Sequence, residues 1–143
     1  MDADGSMDPF EINKFIEELE KGYDLVKGSR FLKDGSTDDM TSFRKFGNWV
    51  FVKLVNLLYK RKFTDLCYGY IAIRKDLIRE INIQAEDFSI ETEIIVRAIK
   101  KQAKIQEIPS YEHKRISGIS NLSAFKDGLS IFRTILRERF KKS

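Results

Sequence analysis

YDLVKGSRF (residues 23–31), LKDGSTDDM (32–40) and TSFRKFGNWVFVKLVNLLY (41–59) form the stretch that decides the architecture. Leu25 and Val26 sit at the centre of a short apolar run, which reads as a strand over Tyr23 to Phe31. Asp34-Gly35-Ser36 is a turn signal, so Leu32 to Met40 reads as a loop. Thr41 or Ser42 then suits a helix start, and the helix runs to about Tyr59. Its apolar residues Trp49, Val50, Phe51, Val52, Leu54, Val55, Leu57 and Leu58 cover more than one stripe. Such a helix is either deeply buried or carries an extra apolar partner.

Working outward, Asp8 suits a helix N-cap, Pro9 the first helical position and Glu11 the far side of a capping box. Ile12, Phe15, Ile16 and Leu19 mark one face of that helix, and Gly22 suits its stop. Downstream, Thr64 to Ile73 alternates like a strand, and Lys75 to Glu80 reads as a helical turn. Phe88 to Gln102 reads as a helix with Ile94, Ile95, Ala98 and Ile99 on one face. Ile105 to Tyr111 reads as a strand that Pro109 confines to an edge or an end. His113 to Asn121 is a glycine-containing loop, and Leu122 to Phe140 a final amphipathic helix. Helices alternate with short strands, so the fold class is α/β.

The composition supports one domain. The chain has 143 residues, 42% hydrophobic and 34% charged, which fits a folded protein and excludes a disordered one. A single cysteine, Cys67, excludes a disulfide-built scaffold and fits a reducing compartment. No run reaches the ~20 apolar residues that cross a bilayer. The net charge is +4, but lysines and arginines are interleaved with 22 acidic residues. That interleaving argues against a continuous basic stripe and against nucleic acid as a partner.

Several residues could carry chemistry. Asp2-Ala3-Asp4 is a D-x-D triplet, and at a turn such carboxylates can ligate a hard cation such as Mg²⁺ or Mn²⁺, with Ser6 adding an oxygen. Alone, the triplet is more often a solvated turn. Arg30 at a strand end, Arg44 in the first turns of the long helix and Arg115 in the glycine-containing loop suit multidentate phosphate recognition. Each taken singly is also an ordinary salt-bridged arginine. Asp65 or Glu93 could act as a general base, or could serve as a turn residue and a helix-terminus charge respectively. His113 stands alone, which argues against zinc. Cys67 reads as a small buried apolar side chain.

These fragments, in this order, resemble the family 2 glycosyltransferases of GT-A fold. The branch they resemble is that of dolichyl-phosphate mannose synthase and other polyprenyl-phosphate glycosyltransferases. The resemblance rests on Asp2-Ala3-Asp4 with Asp8-Pro9, Gly28-Ser29-Arg30-Phe31, Arg44 with Asn48, Asp65 with Gly69-Tyr70, Glu93-Ile94, Glu107-Ile108-Pro109, and Arg115-Ile116-Ser117-Gly118 with Ser120-Asn121. It implies a mixed sheet flanked by helices. It assigns Asp2, Asp4 and Ser6 to a Mg²⁺ or Mn²⁺ ion and the diphosphate of a nucleotide-sugar donor. Arg115 and Ser117 belong to a loop over that diphosphate. Arg30, Arg44 and Asn48 fall to the phosphate of a polyprenyl acceptor. The candidate catalytic residues are then Asp4 and Arg115, which would stabilise the departing diphosphate, and Asp65, which would be needed as a base if the acceptor is a hydroxyl rather than an already ionised phosphate.

Two departures stand out: serine at position 6 where relatives have glutamine, and Tyr68 where they have serine. The family also has a nucleotide-binding half before its D-x-D triplet. Residues 1–143 therefore read as one partial domain, the acceptor-side half, inactive by itself and prone to self-association through an exposed sheet edge. The apolar helix followed by Lys60-Arg61-Lys62 suits the cytoplasmic face of an anionic membrane. The competing readings are a buried core helix for that segment, and for the chain a non-catalytic membrane- or protein-interaction module or, on charge alone, a basic nucleic-acid-binding module.

Overall fold

The computed structural model describes residues 5–115 and 124–141. Its central element is the strand β1, Leu25–Ser29, every residue of which is buried. On one side β1 pairs antiparallel with β3, Ile71–Ile73, in the register Val26 to Ala72. On the other it pairs parallel with β4, Ile105–Pro109, from Leu25 opposite Ile105 to Ser29 opposite Pro109. The order β3-β1-β4 makes β4 an edge strand that ends at its proline, as a residue without an N–H requires. A small parallel pair, β2 (Ser36–Thr37) with β5 (Tyr111–Glu112), continues beyond the end of β1 and β4. Met7 bridges to Glu112 in antiparallel sense.

Helices flank this mixed sheet. A 3-10 turn at Pro9–Glu11 leads into α1, Ile12–Glu20. Asp8 caps the turn by accepting from the Phe10 N–H. Glu11 does not complete a capping box; its carboxylate accepts from the Ser110 hydroxyl, between turn and strand end. Phe15 is buried in the sheet, while Ile12 and Ile16 are exposed, so the apolar face is narrower than its spacing predicts. Gly22, at φ +98°, supplies the left-handed stop.

The long helix α2, Ser42–Tyr59, starts where the sequence places it, with the Thr41 hydroxyl accepting from the Arg44 N–H. The short helix α3, Lys75–Ile81, follows β3. Then come α4, Ile90–Lys100, and α5, Ala124–Phe140. One core cluster joins α2, α4 and α5 through Val52, Val55, Ile95, Val96, Ile99, Ile131 and Ile135. A second lies under α1 around Phe15, Val26, Tyr68, Tyr70 and Ile108. A third lies between the sheet, α3 and α4 around Leu25, Leu77, Ile81 and Ala98.

The wide apolar surface of α2 is only half used. Val52 and Val55 face the core, whereas Phe43, Phe46, Trp49, Val50 and Leu57 are exposed. Phe46 stacks on Trp49 at 6.0 Å, and the Lys53 ammonium lies 5.8 Å from the Trp49 ring. No helix of the described residues is long and apolar enough to cross a membrane.

The segment 64–73 departs from the strand its alternation predicts; only Ile71–Ile73 is a strand. The main-chain donors before it are taken by side chains from elsewhere. Glu107 accepts from the N–H groups of Thr64 and Asp65, at 2.8 and 3.1 Å. Asn48 accepts from those of Leu66 and Cys67, both at 3.0 Å. With its donors satisfied this way the segment needs no ladder. It also lets Tyr68 approach β1 closely. A Cβ on Gly28 would lie 3.0 Å from the Tyr68 ring and 3.1 Å from the Ser110 Cβ, so only glycine fits there without displacement.

Candidate functional site

The site is built where β1, β2 and β5 end. Arg30 leaves β1 with its side chain only 4% exposed. Its Nε donates to Asp65 Oδ2 at 2.7 Å and its Nη2 to Asp65 Oδ1 at 3.0 Å. Nη1 reaches Glu112 Oε2 at 3.0 Å, and Nη2 also reaches the Cys67 carbonyl at 3.0 Å. The guanidinium lies 4.6 Å from the centre of the Tyr68 ring. Burial opposes its charge, but Asp65 and Glu112 outweigh that and hold its pKa above the ordinary value. Burial likewise works against the Asp65 carboxylate, and Arg30 overcomes it, so the Asp65 pKa is lowered.

Beneath this pair Lys27 is fully buried and donates to the Tyr68 carbonyl at 2.8 Å. Burial lowers its pKa, against the pull of Asp65 and Glu107. Burial raises the pKa of Glu107.

Four of the sequence's candidate residues, Asp65, Arg30, Asn48 and Glu93, are placed inward. Asp65 is not placed as a general base: it has no exposed surface and both oxygens are committed to Arg30. Arg30 is turned inward, clamped by two carboxylates and a carbonyl rather than presented to a ligand. Asn48 is 3% exposed, and its amide oxygen caps the Leu66 and Cys67 N–H groups. The two residues hold segment 64–70 in place under the site. Glu93 is a tie rather than a base, since it is fully buried and accepts from Gln84 N, Ala85 N and Arg97 at 2.8, 2.6 and 2.6 Å. Arg137 of α5 adds a further contact at 3.1 Å.

Arg44 and Arg115 are brought together. Arg115, three residues beyond β5, places Nη2 at 2.6 Å and Nε at 3.2 Å from Asp39 Oδ2. Arg44, on the first turn of α2, places Nη1 at 3.9 Å from the same oxygen. All three side chains are partly exposed, at 26%, 23% and 18% for Arg44, Arg115 and Asp39. The Thr37 hydroxyl fixes the loop, accepting from the N–H groups of Asp39 and Met40 and donating to Glu112. Glu112 thereby connects the Arg30–Asp65 pair to the Arg44–Arg115 pair. Tyr111, next to Glu112 on β5, donates to Asp38 in the loop after β2 at 2.6 Å.

Ser6 is buried beside this group, its carbonyl accepting from the His113 N–H at 2.8 Å. The strand β5 therefore ties the end of the D-x-D segment to the arginine cluster. Asp2, Asp4 and Ser117 lie outside the described residues. Among the described residues no group of three or more His, Cys, Asp or Glu side chains is arranged to hold a metal.

Asp39, Thr37 and Glu112 were not singled out from the sequence. The available signal was modest: Asp39 stands two positions before the helix cap Thr41, and Glu112 three before Arg115. The arrangement presents two guanidinium groups on different elements to one anionic position, which suits a phosphate.

The sequence profile of glycosyl transferase family 2 matches residues 1–82. The chain is 29% identical over 138 residues to "Glycosyltransferase AglJ" of Haloferax volcanii, covering 96% of this chain and 45% of that protein. It is 31% identical over 124 residues to the "Dolichol-phosphate mannosyltransferase" of Pyrococcus furiosus, 85% of this chain and 35% of the other. With the "Undecaprenyl-phosphate mannosyltransferase" of Micrococcus luteus it shares 29% over 126 residues, 86% of this chain and 51% of the other. The chain thus spans from about a third to about half the length of these relatives. With its mixed sheet between helices and its profile match over more than half its length, the chain belongs to glycosyl transferase family 2.

Proposed function

We propose that the chain is the acceptor-side part of an inverting glycosyltransferase that moves a sugar from a nucleotide-sugar donor to a polyprenyl phosphate. The observation that carries this reading is the convergence of Arg44 and Arg115 on one oxygen. Family membership and the lipid-phosphate acceptors in the names of two relatives support it. Arg44 takes the acceptor phosphate. Arg115 faces the donor diphosphate, where departing negative charge needs fixed positive partners; Ser117 is assigned to the same group by the family resemblance alone. A phosphate acceptor is ionised near neutral pH, so it attacks without a general base, in keeping with Asp65 being locked in its ion pair. Asp2 and Asp4 with Mg²⁺ or Mn²⁺ would add charge at the same diphosphate. Arg30 and Asn48 act one layer below, by fixing the segment on which the site rests.

The exposed aromatic side chains of α2, with Lys45, Lys53, Lys60, Arg61 and Lys62, fit a helix resting on the anionic cytoplasmic face of a membrane. An amphiphilic acceptor would reach Arg44 from that surface. In this reading the chain binds the acceptor phosphate through Arg44.

Titration with a short-chain polyprenyl phosphate and the matching polyprenol tests this. The phosphate is expected to bind and the alcohol not. Arg44→Gln is expected to weaken phosphate binding roughly tenfold, the loss of one charge-assisted contact. Equal affinity for alcohol and phosphate, or no effect of Arg44→Gln, sinks the reading.

A further inference from the structure

Asp39 is the odd member of the cluster. It puts a carboxylate between two part-exposed arginines. Oδ2 takes the Arg115 Nη2 and Nε at 2.6 and 3.2 Å and lies 3.9 Å from Arg44 Nη1. Two guanidinium groups this close repel unless an anion separates them, and a carboxylate is the anion that protein chemistry offers in place of a phosphate. The main chain of the loop is fixed independently, because Asp39 N and Met40 N donate to Thr37 Oγ1. The loop therefore keeps its position if the carboxylate swings away. The pair is partly exposed, so exchange with a ligand requires no opening of the core.

We propose that Asp39 is an internal stand-in for a ligand phosphate, holding Arg44 and Arg115 at their working spacing and giving up its place when the phosphate arrives. The inference rests on the phosphate-binding reading of the two arginines and goes beyond it. It makes Asp39 a positioning residue that keeps the pair assembled and at the same time sets a ceiling on ligand affinity. The phosphate belongs either to a lipid acceptor or to a donor diphosphate, and both share the dianionic group that competes with one carboxylate.

The experiment is calorimetric titration of the chain with two probes, inorganic pyrophosphate and a short-chain prenyl monophosphate. Asp39→Asn removes the competing charge and is expected to tighten at least one probe roughly three- to tenfold, the scale of one part-exposed ion pair. Asp39→Ser serves as a second variant should the first unfold. The neighbouring Asp38→Asn makes the same change in net charge and is expected to leave affinity unaltered. In an Arg44→Gln, Arg115→Gln background the gain from Asp39→Asn is expected to vanish, because the effect runs through those side chains. A gain confined to the monophosphate assigns the position to the acceptor, and a gain confined to pyrophosphate assigns it to the donor. Unchanged or weaker binding in Asp39→Asn, with Arg44→Gln still damaging, overturns the stand-in and leaves the arginine site intact. An equal gain in Asp38→Asn reduces the effect to bulk charge and also overturns it. Indifference of both probes to both arginines overturns the proposal together with the site reading beneath it.

Discussion

Asp65 shows how much one buried carboxylate can hold. Burial raises the cost of its charge, and Arg30 repays it with two side-chain hydrogen bonds. Its lowered pKa fixes the sign of the pH effect. The stabilisation is complete above the ordinary value near 3.8 and is lost as pH falls through the depressed folded value. Asp65→Asn leaves Arg30 with Glu112 as its remaining anionic partner and is expected to cost up to about 3 kcal/mol at neutral pH. Urea unfolding followed from about pH 5 downward is expected to show a shallower loss of stability in the variant than in the parent. Parallel curves would remove the pair from the account of acid stability.

At this scale the sequence was partly legible. Arg44 and Arg115 share no local pattern, yet their residue type pointed to phosphate recognition, and the structure brings them to one carboxylate oxygen of Asp39. The inward turn of Arg30 was not legible, because nothing near it in the chain announces Asp65 or Glu112. The same holds for Asn48, whose amide meets the Leu66 and Cys67 N–H groups only after α2 has folded back.

Among the elements, α2 is the most informative. Its start at Thr41, its end at Tyr59 and its over-wide apolar surface were all readable from local chemistry. Segment 64–73 was not, because its alternation counts side chains and ignores where distant Glu107 and Asn48 send their acceptors. The outer face of α2 contains Trp49, the single tryptophan, which is half exposed. Addition of phosphatidylglycerol vesicles is expected to shift its emission to the blue, and neutral phosphatidylcholine vesicles to do so much less. Added salt should reverse most of the shift. Replacing Phe43 and Phe46 by serine should abolish vesicle binding with little change in thermal stability, since both are exposed. Equal shifts with neutral and anionic lipid would refute an electrostatic contribution.

For the molecule as a whole, α4 is the element that two of the three clusters share. Ile95 and Val96 serve the helical cluster and Ala98 the sheet side, while Glu93 ties the helix to α5 and to the loop before it. Ile105 of β4 packs against two of the clusters. Unfolding is therefore expected to be one transition. Ile95→Ala, which hollows a site with no exposed surface, is expected to cost about 2–5 kcal/mol without creating a second transition. Denaturation followed by Trp49 fluorescence and by far-ultraviolet dichroism checks this, and curves that separate would contradict it.

Cys67 turns the same architecture into a clock. Burial pushes its thiol up to about 12, its N–H is held by Asn48 and its carbonyl by Arg30. Cys67 is only half-buried, so a thiol-specific reagent meets it in the folded protein, and alkylation that speeds up when Asn48 or Arg30 is replaced would be a stopwatch for the loosening of the floor on which the arginines stand.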